Sequence, residues 1–407
     1  MGDTAGTILF ITQVYPPDPA AVGQQLADVA ADLAARGHAV TVLTADRGYD
    51  DPAIRYPQRE VRDGVRIVRL PLSSFGKRSM IVRLAGGLSF LLQATLRAIF
   101  TRNLTRVIVT TVPIMSPVSG AAIAMARRAG VIYWIMDLNP DQLVALDVVQ
   151  RESLLVRALD WCNLALLRRA AAVIVCDDYM AKRVRDKLDP GDRLHVATPW
   201  AHDQHLESVP RAENPFLAAH ALGARRVIMY SGNHALTNPL ATLLDAAARL
   251  AGDSRLIFVF VGGGAGKKEV EARGLPNVIS LPYQPLDQIK YSLSAADVHV
   301  VTIGAAVVGI VHPCKIYGAM AVGRPILSFG PQRSHVGDIV RQGIGWHLEH
   351  GDVDGAVAAL RTIAELPPET LDAMGTQAQA LLHERFDSRA SRARVCEIIE
   401  GGRSGLR

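Results

Sequence analysis

The chain has 407 residues, is 49% hydrophobic and 5% aromatic, and carries 20% charged residues for a net charge of +5. That length predicts two domains of about 200 residues, and the composition excludes a disordered chain in favour of a compact α/β protein rich in Ala, Val and Leu. The four cysteines (Cys162, Cys176, Cys314, Cys396) are scattered without metal-ligand spacing, so reduced thiols and no metal site are expected.

The polar start, Met1 to Gly6, runs straight into the apolar stretch Ile8 to Thr12, and no signal peptide is expected. A Pro-rich loop, Tyr15-Pro16-Pro17-Asp18-Pro19, is followed by Gly23 and a helix from Gln24 to Ala35; Gly37 closes it, and Ala39 to Thr44 is the next strand. This is a βαβ unit and predicts a parallel sheet. Further strands are expected at Val65-Arg69, Val107-Thr111, Ile132-Met136 and Val173-Cys176, which makes residues 1–205 a Rossmann-like domain. The periodic pattern lapses in a linker near Pro199 to Pro210. It restarts with strands at Arg226-Ser231, Leu256-Gly262, Val278-Leu281, Val298-Thr302 and Ile326-Phe329, with helices between them and helices to the end. Residues 206–385 form a second Rossmann-like domain, and 386–407 a terminal helical segment.

The charge is unevenly spread. Gly64 to Met136 contains no Asp or Glu but ten basic residues: Arg66, Arg69, Lys77, Arg78, Arg83, Arg97, Arg102, Arg106, Arg127 and Arg128. Taking that +10 from the overall +5 leaves −5 for the rest, so a basic field is expected within an acidic protein. No stretch is long enough to span a bilayer. Met80 to Phe100, however, reads as an apolar helix with basic flanks, which suits the surface of an anionic membrane. No aromatic stacking series accompanies the basic block, and nucleic acid is not an expected partner.

Four stretches of the second half fall at successive strand ends. Gly232-Asn233-His234 offers close backbone approach and polar donors. Gly262-Gly263-Gly264-Ala265-Gly266-Lys267-Lys268 is a nest of N–H groups with two cations, without the spacing of a P-loop. Leu281-Pro282-Tyr283-Gln284-Pro285 is a rigid turn suited to a nucleobase. In Gly309 to Pro325, Pro313 opens a helix and Gly323 and Pro325 stop it, placing His312, Lys315 and free N–H groups at a helix N-terminus, a setting that attracts phosphate. Together these stretches describe a nucleotide-diphosphate site.

The Tyr15-Pro16-Pro17 loop with Gly23, Arg36-Gly37-His38-Ala39-Val40-Thr41-Val42-Leu43-Thr44, Tyr133-Trp134-Ile135-Met136-Asp137-Leu138-Asn139-Pro140-Asp141, Tyr230-Ser231-Gly232-Asn233 and Lys315-Ile316-Tyr317-Gly318-Ala319-Met320-Ala321-Val322-Gly323-Arg324-Pro325 resemble the large group 1, sucrose synthase-like glycosyltransferase family. The closest resemblance is to fucosaminyl and colanic-acid-type transferases of bacterial polysaccharide pathways. It implies a GT-B fold: two Rossmann-like domains facing an interdomain cleft, the first binding acceptor and the second a nucleotide sugar, with the last helix returning to the first. The implied donor-binding residues are Gly232, Asn233, His234, Gly263, Gly264, Lys267, Lys268, Tyr283, Gly309, Ile310, Val311, Lys315 and Ile316. Gly23, Gln24, Asp137 and Asp141 are the acceptor-binding candidates, and Asp137, His312 and Lys315 the catalytic ones. No metal or cofactor is expected beyond the nucleotide-sugar co-substrate, UDP-linked. The expected partners are a lipid-linked glycan acceptor and the anionic inner face of the cell membrane, for a cytoplasmic, peripherally bound protein.

The sequence departs from the family pattern in three places. The two glutamates of many relatives correspond to Ile310 and Gly318, a first-domain His is replaced by Met136, and Leu236 and Pro239 stand where Arg and Lys often occur. Retention of anomeric configuration is still implied, but two other classes stay open. One is a catalytically silent nucleotide-sugar-binding subunit; the other is a GT-B sugar-nucleotide epimerase or hydrolase.

Overall fold

The computed structural model describes residues 6–18, 20–48, 51–73, 75, 80–200, 206–223 and 225–401. Two compact units emerge. One runs to Thr198 and takes the chain back from Arg389; the other spans Pro199–Ser388.

The first unit holds an eight-stranded sheet of β1 (Thr7–Ile11), β2 (Ala39–Ala45), β3 (Arg59–Arg62), β4 (Val65–Leu70), β5 (Leu104–Val109), β6 (Gly130–Ile135), β7 (Ala172–Val175) and β8 (Leu194–Val196). Its order is β3-β4-β2-β1-β5-β6-β7-β8. Every pairing is parallel except β3 with β4. The second unit holds β9 (Arg226–Ser231), β10 (Leu256–Val261), β11 (Val278–Leu281), β12 (Val298–Thr302), β13 (Ile326–Phe329) and β14 (Gly345–Leu348), in the order β11-β10-β9-β12-β13-β14, all parallel. In each sheet the chain order reverses direction around one strand pair, β1/β5 and β9/β12. Ligands of open α/β sheets bind beside the carboxyl ends of strands at such a reversal.

The central strands form because their runs are wholly apolar. Leu256–Val261 reads LIFVFV and every residue is buried, as a parallel strand covered on both faces requires. The helix Val353–Glu365 buries Ala356, Val357, Leu360 and Ile363 on one stripe, and joins the helix Ala241–Arg249 in the core over β9, β10 and β12.

Several expectations are corrected. Between Gln342 and the terminal helices lies β14, whose sequence GWHL is only half-buried at the sheet edge and lacks an apolar run. β3, with the sequence REVR, is a charged antiparallel edge strand. The helix expected between the strands Val278-Leu281 and Val298-Thr302 is a 3-10 turn, Leu286–Gln288, followed by a short helix, Ile289–Ser294. Residues 201–205 of the expected linker lie outside the described residues. The four cysteines are free. No described helix is long and apolar enough to cross a membrane.

The basic block is also not a uniform field. The Arg69 side chain is fully buried, donating to the carbonyls of Pro57 (2.9 Å) and Pro16 (3.0 Å) and to Glu60 Oε1 (2.7 Å). Arg127 donates to the carbonyls of Ile99 (2.6 Å) and Thr101 (3.0 Å), satisfying the end of the helix Met80–Phe100. Arg106 does the same at Ile399 (3.0 Å) and Glu400 (3.3 Å) for the helix Ser388–Gly401. That last helix is bound to the first sheet's layer by Arg392 on Asp32 (2.7 Å), by Arg36 and His38 on Glu400 (2.9 Å each), and by buried Val395, Cys396 and Ile399. Lys77 and Arg78 lie outside the described residues.

Removing Glu60 leaves the Arg69 guanidinium buried without its anion. We expect Glu60→Ala to cost about 2 kcal/mol in chemical denaturation, the worth of a hydrogen bond to a charged group. A change within experimental scatter would show that the backbone carbonyls alone hold Arg69.

Candidate active site

The second unit assembles its site where β9, β10 and β12 end. After β9 the chain turns at Gly232 (φ +123°), and after β10 at Gly262 (φ +132°) and Gly264 (φ +122°), conformations that side-chain-bearing residues rarely adopt. The two turns dovetail. Gly232 N donates to Val261 O (2.9 Å), His234 N to Gly263 O (2.7 Å), and Gly266 N to His234 O (2.8 Å). A Cβ on Gly262 would stand 2.1 Å from the Gly232 carbonyl oxygen, and one on Gly264 would stand 2.3 Å from Asn233 Oδ1.

Lys315 enters this framework from the connection after β12. It is the first residue of the helix Lys315–Ala321. Its Nζ donates to the Tyr230 hydroxyl (2.5 Å), lies 3.4 Å from the Asn233 carbonyl, and sits 3.8 Å from the centre of the Tyr230 ring. Tyr230, itself fully buried, donates to the Asn233 carbonyl (2.8 Å). Burial with only neutral partners makes the ammonium expensive, and the Lys315 pKa falls to about 7. An arriving anion would supply the missing countercharge. Residues far apart in sequence (Gly232, Asn233, Gly263, Gly264, Lys315) therefore share one corner, at the strand pair where the sheet's order reverses. Tyr283 extends it, with its hydroxyl 3.4 Å from the Gly263 carbonyl and more than half of its surface exposed.

Other expected donor residues take different places. His234 is fully buried between Tyr230 and Phe260, with Nδ1 on the Gly263 carbonyl (3.2 Å). Burial first, then the neighbouring Lys315 and Lys267, push its pKa down, so a neutral ring forms a wall beneath the loops and is not a surface donor. Lys267 Nζ is spent on the carbonyls of Leu281 (2.8 Å) and Gly262 (2.9 Å), closing the ends of β10 and β11, whereas Lys268 is exposed. The side chains of Ile310, Val311 and Ile316 belong to the core. The N–H groups of Ile310, Val311, Cys314, Ile316 and Tyr317 are bonded within their own turns, so the expected set of free donors at this helix start is smaller than the sequence suggested. Gly309 makes the preceding turn at φ +73°.

His312 stands in a network that the sequence did not disclose. Its Nε2 lies 2.8 Å from the buried Tyr317 hydroxyl, which lies 2.8 Å from Nε2 of His335. Tyr230, Tyr317 and His335 were not expected as site residues. An aromatic in an apolar run reads as core, and only contact with Lys315 or His312 gives it a polar task.

In the first unit, Gly23 and Gln24 lie in the first turns of the helix Ala21–Ala35, with Gly23 pressed on the loop so that a Cβ would meet the Tyr15 backbone at 3.1 Å. Asp137 follows β6, its N–H donating to Thr111 Oγ1 (3.3 Å). Asp141 opens the short helix Asp141–Ala145 and is ion-paired with Lys187 (2.5 Å), which also holds Asp160 (2.6 Å). This pairing leaves Asp141 less suited to gripping an acceptor than the sequence implied.

The dovetail predicts that Gly262→Ala lowers stability by about 2–3 kcal/mol, from steric overlap and a strained backbone. Gly252→Ala, where a Cβ meets nothing within 4 Å, should be neutral. Equal melting temperatures for the two would contradict the packing described. The Lys315 shift sets a pH dependence. Its pKa is lower folded (about 7) than the ordinary 10.5, so between those values the unfolded chain holds more protons and ligand-free stability rises with pH. Lys315→Met should flatten that rise in melting curves between pH 7 and 10.

Comparison with known proteins places this geometry. Residues 20–200 match the model of the glycosyl transferase 4-like domain, and 218–381 that of glycosyl transferases group 1. WbjE of Pseudomonas aeruginosa, assigned as a glycosyltransferase, is 26% identical over 62% of this chain and 64% of its own length, so the match spans just under two thirds of that relative. WcaI of Escherichia coli K12, assigned as a colanic acid biosynthesis glycosyl transferase, is 24% identical over 87% of this chain and 91% of its own. Among solved structures, sucrose-phosphate synthase from Thermosynechococcus elongatus superposes with a TM-score of 0.77 at 17% identity, covering 97% of this chain and 98% of that one. HepE of Anabaena in complex with UDP gives 0.70 at 16%, covering 97% and 100%. Both are GT-B folds, and this chain shares that architecture. With each of its two units matched by the corresponding domain model, the chain belongs to the group 1 glycosyltransferases.

Proposed function

We propose that the chain transfers a sugar from a UDP-linked donor to a lipid-linked glycan during cell-surface polysaccharide assembly, at the anionic inner face of the membrane and with retention of anomeric configuration. The observation that carries the reading is Lys315, a half-buried cation held by Tyr230 and the Asn233 carbonyl beside two dovetailed glycine turns. Polysaccharide assembly is supported by the naming of WcaI, and UDP by the solved HepE complex.

In this reading the donor diphosphate meets the Lys315 ammonium and the N–H groups of the Gly263-Gly264 turn, and the base lies by Tyr283. Lys315 stabilises charge on the departing diphosphate, which is electrostatic stabilisation where charge develops, without a metal ion. His312, oriented through Tyr317, assists there. Asp137 binds or deprotonates the acceptor hydroxyl. With Ile310 and Gly318 in place of the family's glutamates, hydroxyl recognition on the donor falls to backbone groups and Asn233.

Thermal shift against UDP, GDP, ADP and their sugar conjugates tests the donor. We expect stabilisation by the uridine series, because a ligand that binds the folded state alone raises apparent stability. A response to none of them would remove the donor site. Lys315→Ala should lower kcat/KM by roughly 100-fold to 1000-fold at nearly unchanged folding, the loss typical of one oxyanion donor. Binding of UDP-sugar with no turnover on any lipid-linked acceptor would instead identify a nucleotide-sugar-binding subunit.

A further inference from the structure

The helices Met80–Phe100, Ser116–Ala126 and Leu154–Arg169 lie side by side in the first unit. A surface helix ordinarily turns charged residues to water. The first of these also turns a row of apolar residues to it. Leu88, Leu92, Leu96 and Phe100 are 51%, 64%, 48% and 78% exposed, and their spacing of four residues sets them on a single stripe. Met125 on the second helix (62%) and Trp161 on the third (67%) add to the apolar surface. An exposed apolar area of this extent marks an interaction site.

Charge identifies the partner. The first two helices contain no Asp or Glu, and the one acidic residue of the third, Asp160, is paired with Lys187. Arg97, Arg102, Arg128 and Arg168 are exposed in or beside these helices. A second copy docking by the same face would set this positive surface against itself. An anionic bilayer satisfies both components, with side chains entering the acyl boundary and guanidinium groups meeting lipid phosphates.

We infer that the outer face of the helix Met80–Phe100, with exposed Met125 and Trp161 on the two helices packed in series alongside it, is a docking surface for an anionic lipid bilayer, through which the enzyme reaches its acceptor; this deepens, and rests on, the lipid-linked acceptor reading.

The test is flotation of the full chain with phosphatidylcholine vesicles, with and without phosphatidylglycerol. The wild type should float with the anionic vesicles and lose binding as salt rises. Leu92→Gln/Leu96→Gln, altered only at exposed positions, should cut vesicle binding roughly tenfold. Its melting temperature and its thermal response to UDP should be those of the wild type. Arg97→Gln/Arg102→Gln should lose the preference for anionic lipid. Unchanged flotation of the leucine variant, no flotation of the wild type, or a wild-type dimer in light scattering that the leucine variant dissociates would each overturn the assignment. The UDP response reads separately, so failure at the membrane and failure of the donor site cannot be confused.

Discussion

The Gly232 carbonyl oxygen occupies the space that any side chain at position 262 would need, 2.1 Å from where its Cβ would lie. This close approach follows from the parallel pairing of β9 with β10, which sets Ser231 opposite Val261 and brings the two turns into contact one residue later. The turns then fasten each other through backbone hydrogen bonds. On the surface so formed, Asn233 presents the carbonyl that, with the Tyr230 hydroxyl, receives Lys315. The ammonium has hydrogen-bond acceptors here but no acidic partner among the described residues, and burial holds its pKa below the ordinary lysine value. In the proposed function, a site built this way would hold the cation in place before the donor's diphosphate arrives, so that little reorganisation is needed at the moment of binding.

The same economy governs the histidines. His234 and His312 sit three residues or fewer from Lys315 or its partners in space or sequence, yet their surroundings divide their tasks. His234 is packed into the wall under the turns and kept neutral by burial. His312 shares the Tyr317 hydroxyl with His335, whose helix begins after β13. That hydroxyl has one proton to donate, so the two rings present different nitrogen states to it and their orientations are linked.

The first unit shows how net charge can mislead about charge placement. Arg69, Arg106 and Arg127 all belong to the acid-free block, and all three are consumed by backbone carbonyls or a buried ion pair. The remaining exposed arginines gain significance from their setting beside an apolar stripe on the helix Met80–Phe100. Counting residues located the block, and only the packing separated the structural guanidinium groups from those at the surface.

Much of the fold was legible because a parallel strand covered on both faces must be a short apolar run: β9, β11, β12 and β13 lie at the residues the sequence predicted. The strands that escaped, β3 and β14, are sheet edges, where half-exposure removes the apolar signature. At the site, the sequence determined which chemical groups follow which strands: glycines after β9 and β10, and Lys315 with His312 after β12. Tertiary structure decided what each group is free to do. It buried His234, tied Lys267 to two strand ends and paired Asp141 with Lys187, through contacts between segments 14 to 46 residues apart or through core packing. Composition and periodicity are local properties of a chain, whereas the countercharge and burial that set a side chain's role come from neighbours that only folding supplies.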